Sequence, residues 1–143
     1  MKMNIGKLLF KIQGDDKGSL VSVEGNSDIP FPIRRVYYLY GIKQDVIRGH
    51  HAHKTLQQVI ISVHGSCKIR LDDGEEQQTE ILCRPNEGIY ISYDIWRELY
   101  DFSSDAVLVV LASDSYYESD YIRDYDEFLQ YLKRHKNVKP ETG

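Results

Sequence analysis

Two histidines, His51 and His53, are separated by a single alanine. Side chains two apart in an extended strand share a face, so both imidazoles point one way and His50 points the other. An imidazole near neutral pH can take up and return a proton, or offer a lone pair to a metal. The pair sits in RGHHAHKTLQQVIISVHGSCKIRLDDG, residues 48–74. After it come Gln58, an apolar run to Val63, a glycine turn at Gly65 and an alternating stretch from Cys67 to Leu71. Asp73-Gly74 closes the stretch with a hairpin signal. Polar residues facing inward on a strand framed by apolar ones mark a site for chemistry.

The elements that must position this pair are strands. Residues 5–13 read as a first strand, 19–24 as a second and 34–41 (RRVYYLYG) as a third, rich in β-branched and aromatic side chains. Further strands follow at about 50–54, 57–64, 66–72, 77–83, 88–92, 95–101 and 106–112, with Gly, Asp, Asn or Pro in the gaps. Such a series without helical spacing implies an all-β antiparallel sandwich or barrel. Only the tail changes period. Tyr121, Tyr125, Phe128, Leu129 and Leu132 recur at helical spacing, and Lys133, Arg134 and His135 close one amphipathic C-terminal helix. VKPETG beyond it is expected to fray.

The 143 residues suit one domain, 1–143, with a substantial core. A net charge of −4 offers no general footprint for nucleic acid. No apolar run approaches the roughly 20 residues of a membrane helix, and the N-terminus lacks the pattern of a secretion signal. A cytoplasmic location is expected, with Cys67 and Cys83 as free thiols. Tyrosine dominates the aromatics, 11 against 4 Phe and 1 Trp. Tyrosines 116, 117, 121 and 125 read as packing for the last helix, and Trp96 as core. His64 reads as a turn residue and His135 as a helix-end residue.

The spacing of His51-Ala52-His53, four residues, Gln58, six residues and Gly65, with Pro85-Asn86-Glu87-Gly88 and Ile95-Trp96-Arg97 downstream, resembles the cupin pattern. It implies a cupin-type antiparallel β-barrel or jelly roll. The ligands do not follow the pattern. Gln58 stands where a carboxylate belongs and Arg97 where a last histidine belongs. An amide is a poor anionic ligand and a guanidinium repels a cation. The expectation is therefore a cupin-type barrel whose site holds no metal, which disfavours a metal-dependent dioxygenase.

The same stretch, the preceding RRVYYLY and the later DIWRELYDFSSDAVLVVLASDSYYESDYIRDYDEF resemble the dTDP-sugar 3,4-ketoisomerase family, from about Asp16 to Phe128. The resemblance implies a metal-free, cofactor-free isomerase that moves the keto group of dTDP-4-keto-6-deoxyglucose from C4 to C3. Its product would feed 3-amino-3,6-dideoxyhexose synthesis for surface glycans or antibiotics. The chemistry suits histidine. The C3 hydrogen lies α to the ketone, its removal gives a 3,4-enediol(ate), and a proton returned at C4 leaves the ketone at C3. The family's active-site histidines correspond to His51, expected as the C3 base, and His53, expected as relay or C4-side acid. Tyr37 corresponds to an active-site tyrosine. Arg35, Arg48 and Lys54 are candidate cations for the diphosphate. Gln58 and Arg97 are expected in the same cavity, with Lys17 as a second neighbour. In the family, positions 17 and 97 vary with the configuration left at C4. Arg97 implies the gluco product, whereas Lys17 is the usual residue of neither group. A homodimer is expected. The alternatives are a sugar-nucleotide 3,5-epimerase and a non-catalytic sugar-binding cupin.

Overall fold

Short apolar–polar alternations punctuated by turn residues fold into two packed sheets. The computed structural model describes residues 4–138. Its strands are β1 (Ile5–Leu9), β2 (Ile12–Asp15), β3 (Gly18–Val21), β4 (Arg35–Leu39), β5 (Arg48–His53), β6 (Gln58–His64), β7 (Cys67–Asp72), β8 (Gln77–Leu82), β9 (Glu87–Ile91), β10 (Trp96–Tyr100), β11 (Val107–Ala112) and β12 (Tyr121–Ile122), followed by the helix α1 (Tyr125–Val138). One sheet has the order β1-β9-β6-β11-β4 and the other β12-β5-β10-β7-β8, while β2 and β3 pair only with each other. The ladders between these strands are antiparallel.

Both sheets contribute to the main core. Ile60, Ile89, Ile91, Leu108 and Val110 come from the first, and Ile69, Leu71 and Leu99 from the second. Strand β6 shows why its sequence fails to alternate. Ile60 faces the inter-sheet core, while Val59 and Ile61 face a second cluster with Phe10, Ile29 and Phe31. A central strand covered on both faces reads as a continuous apolar run. Gln58, buried at 1% exposure, shares the inward face with Ile60.

The helix docks through Phe128, fully buried against Ala52, Trp96 and Ile122. Burying such a side chain is worth roughly 2–3 kcal/mol. Asp124 begins the helix, its Oδ2 accepting from the Glu127 N–H at 3.0 Å.

Three expectations are corrected. The first strand breaks at Phe10, whose buried ring and whose N–H bond to the Asn86 carbonyl at 2.7 Å take the chain out of the sheet. The second strand ends at Val21, and the chain then crosses the outer face of the first sheet. Tyr121 is not helical, because it pairs with His53 across β12 and β5. Residues 139–143 of the expected fraying tail lie outside the described residues.

Candidate active site

The histidine strand is not regular. Arg97 on β10 faces His51, but the next pair is Glu98 with Gly49, so β5 carries one extra residue there. Gly49 at φ 92 and His50 at φ 51 form this bulge. A Cβ on residue 49 would lie 2.9 Å from the Arg97 carbonyl oxygen, so the close approach of the two backbones requires glycine. The bulge leaves His50 outside and turns the Gly49 carbonyl toward His51, whose Nδ1 lies 2.9 Å from it. A carbonyl only accepts, so Nδ1 carries the proton and Nε2 keeps its lone pair.

His53 is fully buried, its Nδ1 3.0 Å from the Asp120 Oδ2. The His51 and His53 rings meet edge-to-face with centroids 4.8 Å apart, and the Tyr121 ring packs against both at 5.0 and 4.4 Å. Among the described residues neither Nε2 has a hydrogen-bond partner, although both atoms are buried. His51 lines a cavity of about 330 Å³ between the sheets, and His53 stands behind it.

Opposite the histidines, a chain of hydrogen bonds crosses from one sheet to the other. Arg97, 1% exposed, donates through Nη1 to the Gln58 Oε1 at 2.6 Å and through Nη2 to the Ile95 carbonyl at 3.0 Å. The Gln58 amide donates to the Tyr37 hydroxyl at 2.9 Å. Arg97, Gln58 and Tyr37 all line the cavity, as do Arg35 and Arg48. Arg35 lies over the Tyr37 ring at 5.2 Å, with its buried Nε and Nη2 unpartnered among the described residues. Lys54 and Lys17 are not among the lining residues. Lys54 follows the last residue of β5 and sends its ammonium to 5.9 Å from the Tyr131 ring of α1. Lys17 sits exposed in the β2–β3 turn.

Burial first, and the Arg97 guanidinium second, lower His51 to about 3. The same two causes, then His51, hold His53 well below the ordinary histidine range despite the carboxylate beside it. Burial lowers Arg97 only to about 10, so it stays a cation at neutral pH, and burial raises Tyr37 so that it stays protonated. The resting site thus holds two neutral imidazoles, a cation and a phenol. Among the described residues no group of three or more His, Cys, Asp or Glu is placed to hold a metal ion.

These shifts set an acid limit on stability. The unfolded chain protonates its histidines near pH 6.5, whereas folded His51 resists protonation down to about 3. Its contribution is therefore complete above the unfolded value and is lost as pH falls from 6.5 toward 3. At pH 5 the loss from His51 alone is on the order of 2 kcal/mol, and His53 acts in the same direction. Urea midpoints at pH 7.5 and pH 5 test this, and equal midpoints would refute it.

Sequence reasoning missed Asp120 and Arg123 and misplaced Tyr121. Arg123 lines the cavity, lies over the Tyr121 ring at 4.2 Å and donates from Nε and Nη2 to Glu118 at 2.7 and 2.9 Å. The missed signal was Asp124 with Glu127 three residues on, an N-terminal capping pattern that starts the helix at Tyr125 and frees Tyr121 for a strand.

Fold and site together define a cupin-type barrel with two contacting histidines at an inter-sheet cavity. The chain matches the family described as FdtA: WxcM-like, C-terminal, over residues 2–133. It is 50% identical over 125 residues to the TDP-4-oxo-6-deoxy-alpha-D-glucose-3,4-oxoisomerase of Aneurinibacillus thermoaerophilus, covering 87% of this chain and 90% of that protein. A solved 3,4-ketoisomerase from Helicobacter canadensis superposes with a TM-score of 0.90 at 49% identity, over 92% of this chain and 99% of that one. A histidine-to-asparagine variant of the 3,4-ketoisomerase QdtA from Thermoanaerobacterium thermosaccharolyticum, in complex with TDP-4-keto-6-deoxyglucose, gives 0.90 at 44% identity, over 94% and 97%. The chain belongs to this FdtA family of sugar 3,4-ketoisomerases.

Proposed function

We propose that the chain converts TDP-4-keto-6-deoxy-D-glucose to its 3-keto isomer through an enediol(ate), with residues 1–143 working as one domain. One observation carries the mechanism. His51 has one ring nitrogen committed to Gly49 and the other free, and it lines the same cavity as Arg97 and the Tyr37 hydroxyl. In this reading His51 Nε2 removes the C3 proton. The C–H electron pair forms the C3–C4 double bond, and the former ketone oxygen gains charge beside the Arg97 guanidinium and Tyr37 hydroxyl. That charge offsets the cation which depresses His51, so the imidazole becomes a stronger base as the proton moves. The proton then returns to C4, the C3 hydroxyl gives up its proton to become the ketone, and the oxygen on C4 takes up a proton to become the hydroxyl. His53 serves as the relay behind His51. Arg35 and Arg48 take the diphosphate, Gln58 fixes Arg97 and Tyr37, and Lys54 and Lys17, away from the lining, attract the anion at longer range.

An NMR time course in heavy water with TDP-4-keto-6-deoxyglucose tests the reading. The expected product has a C3 carbonyl and deuterium at C4, and the product of a parallel run in ordinary water shows the large H4–H5 coupling of the gluco configuration that Arg97 implies. A ketone remaining at C4 with inverted C5 would replace this reading with a 3,5-epimerase. Nucleotide binding without exchange at C3 would leave only a sugar-binding protein.

We also infer a cytoplasmic homodimer supplying 3-amino-3,6-dideoxyhexose synthesis. Strand β4 is a sheet edge, and Val36, Tyr38 and Tyr40 stand along it at 55%, 65% and 72% exposure. No helix among the described residues is long and apolar enough to cross a membrane. Sedimentation of the soluble cell fraction should find the enzyme at twice the chain mass, and a species of single chain mass would refute the dimer.

A further inference from the structure

We infer that Asp120 is a positioning residue that fixes His53 in the Nδ1–H tautomer and so keeps the His53 Nε2 lone pair available for proton transfer; this rests on the ketoisomerase reading above. Asp120 ends the 3-10 turn Glu118–Asp120, immediately before β12. Each of its carboxylate oxygens has a separate task. Oδ2 accepts from His53 Nδ1 at 3.0 Å. Oδ1 accepts from the Thr55 N–H and from the Thr55 hydroxyl, both at 2.8 Å. The backbone is held as well, because the Asp120 carbonyl accepts from the Lys54 N–H at 3.0 Å and Tyr121 pairs with His53.

A carboxylate locked in this way cannot turn, and it offers only lone pairs to the imidazole. His53 must therefore present its N–H to Asp120 and its lone pair on the far side of the ring. The opposite side of the histidine pair is set in the same sense, since His51 gives its Nδ1–H to the Gly49 carbonyl. Two imidazoles in contact thus both carry a free Nε2, one held by a backbone carbonyl and the other by a side chain. Only the second can be altered by mutation without touching the strand itself.

The two donors of Thr55 make the test specific. In Asp120→Asn the amide oxygen stays with Thr55, because both Thr55 groups donate. The amide NH2 then faces His53 Nδ1, and a donor there forces the imidazole to accept with Nδ1 and carry its proton on Nε2. Volume and position are preserved while the tautomer reverses. In hydrolytic triads, where a carboxylate orients a histidine, the same exchange lowers kcat by about 10⁴ through the wrong tautomer. Here, with His53 a relay, a fall in kcat of roughly 10²–10⁴ is expected with KM within about threefold.

The experiment measures long-range ¹H–¹⁵N correlations of histidine-labelled wild-type enzyme and Asp120→Asn, together with steady-state kinetics of both and of Asp120→Ala with and without formate. Wild-type His53 should show a protonated Nδ1, and Asp120→Asn a protonated Nε2. Formate, a free carboxylate that fits the space left by the side chain, should restore part of the activity of Asp120→Ala. The inference is overturned if Asp120→Asn keeps the wild-type tautomer, or if it reverses the tautomer and keeps kcat within threefold. The spectra need no substrate. A wild type that forms no C3 ketone would therefore sink the functional reading while the tautomer result still decides the role of Asp120 in holding His53.

Discussion

Replacing His51 with asparagine is expected to lower kcat by roughly two to four orders of magnitude, the ordinary contribution of a positioned acid–base group. Stability and nucleotide affinity should change little. The asparagine amide approximates the size of the lost ring, and an amide N–H can still reach toward the Gly49 carbonyl that His51 Nδ1 contacts at 2.9 Å. The loss falls on kcat because the group is needed most when the C–H bond breaks. The complementary substitution, His53→Asn, removes a side chain at 0% exposure and so mixes lost packing with lost chemistry. That makes His51 the cleaner probe. Steady-state kinetics, thermal melting and titration with TDP separate the effects. Retention of kcat within tenfold would remove His51 from the role of base.

The second large effect is expected at Arg97. Arg97→Met keeps the stem and removes the guanidinium. It should cost about 10²–10³ in kcat if the group stabilises the developing oxyanion. It should also cost about 1–3 kcal/mol of stability for each buried acceptor left unpaired, and the Gln58 Oε1 and the Ile95 carbonyl both lose their donor. A third consequence is more diagnostic. Arg97 is the second cause of the low pKa of His51, after burial, so removing the cation moves that pKa upward. The acid limb of kcat/KM should shift to higher pH in Arg97→Met and return toward its original place in Arg97→Lys, which restores the charge. An acid limb that stays in place in Arg97→Met would refute the coupling, whatever happens to kcat.

The sequence carried much of this architecture because antiparallel strands announce themselves by alternation and turn chemistry. The shared face of His51 and His53 was legible from spacing, and Gln58 and Arg97 from the resemblance to the cupin pattern. What spacing could not convey was departure from regularity. The Gly49–His50 bulge creates the acceptor for His51, yet a period of two treats those residues as ordinary strand. Asp120 lies 67 residues from His53, and only the folded topology joins them. Tyr121 fell at helical distance from Tyr125 and Phe128 by coincidence, and the Asp124 cap was the local feature that separated them. Lys54 shows the converse case. It is adjacent to His53 in sequence, but the strand ends there and its side chain leaves for the helix.

The Arg97–Gln58–Tyr37 chain runs from β10 through β6 to β4, so the polar groups of the site also join one sheet to the other. At this end of the barrel, cohesion between the sheets rests on directional bonds, whereas at the other it rests on interchangeable apolar volume. The two ends should tolerate inheritance of change differently. Ile69, Leu71 and their neighbours can drift one at a time among residues of similar bulk. Arg97, Gln58 and Tyr37 cannot, because any one of them lost alone leaves polar groups of the others without their partner. New specificities in this scaffold would have to arise by concerted replacement of the trio or by changes at the rim, where the exposed Arg123 can vary without loosening the sandwich.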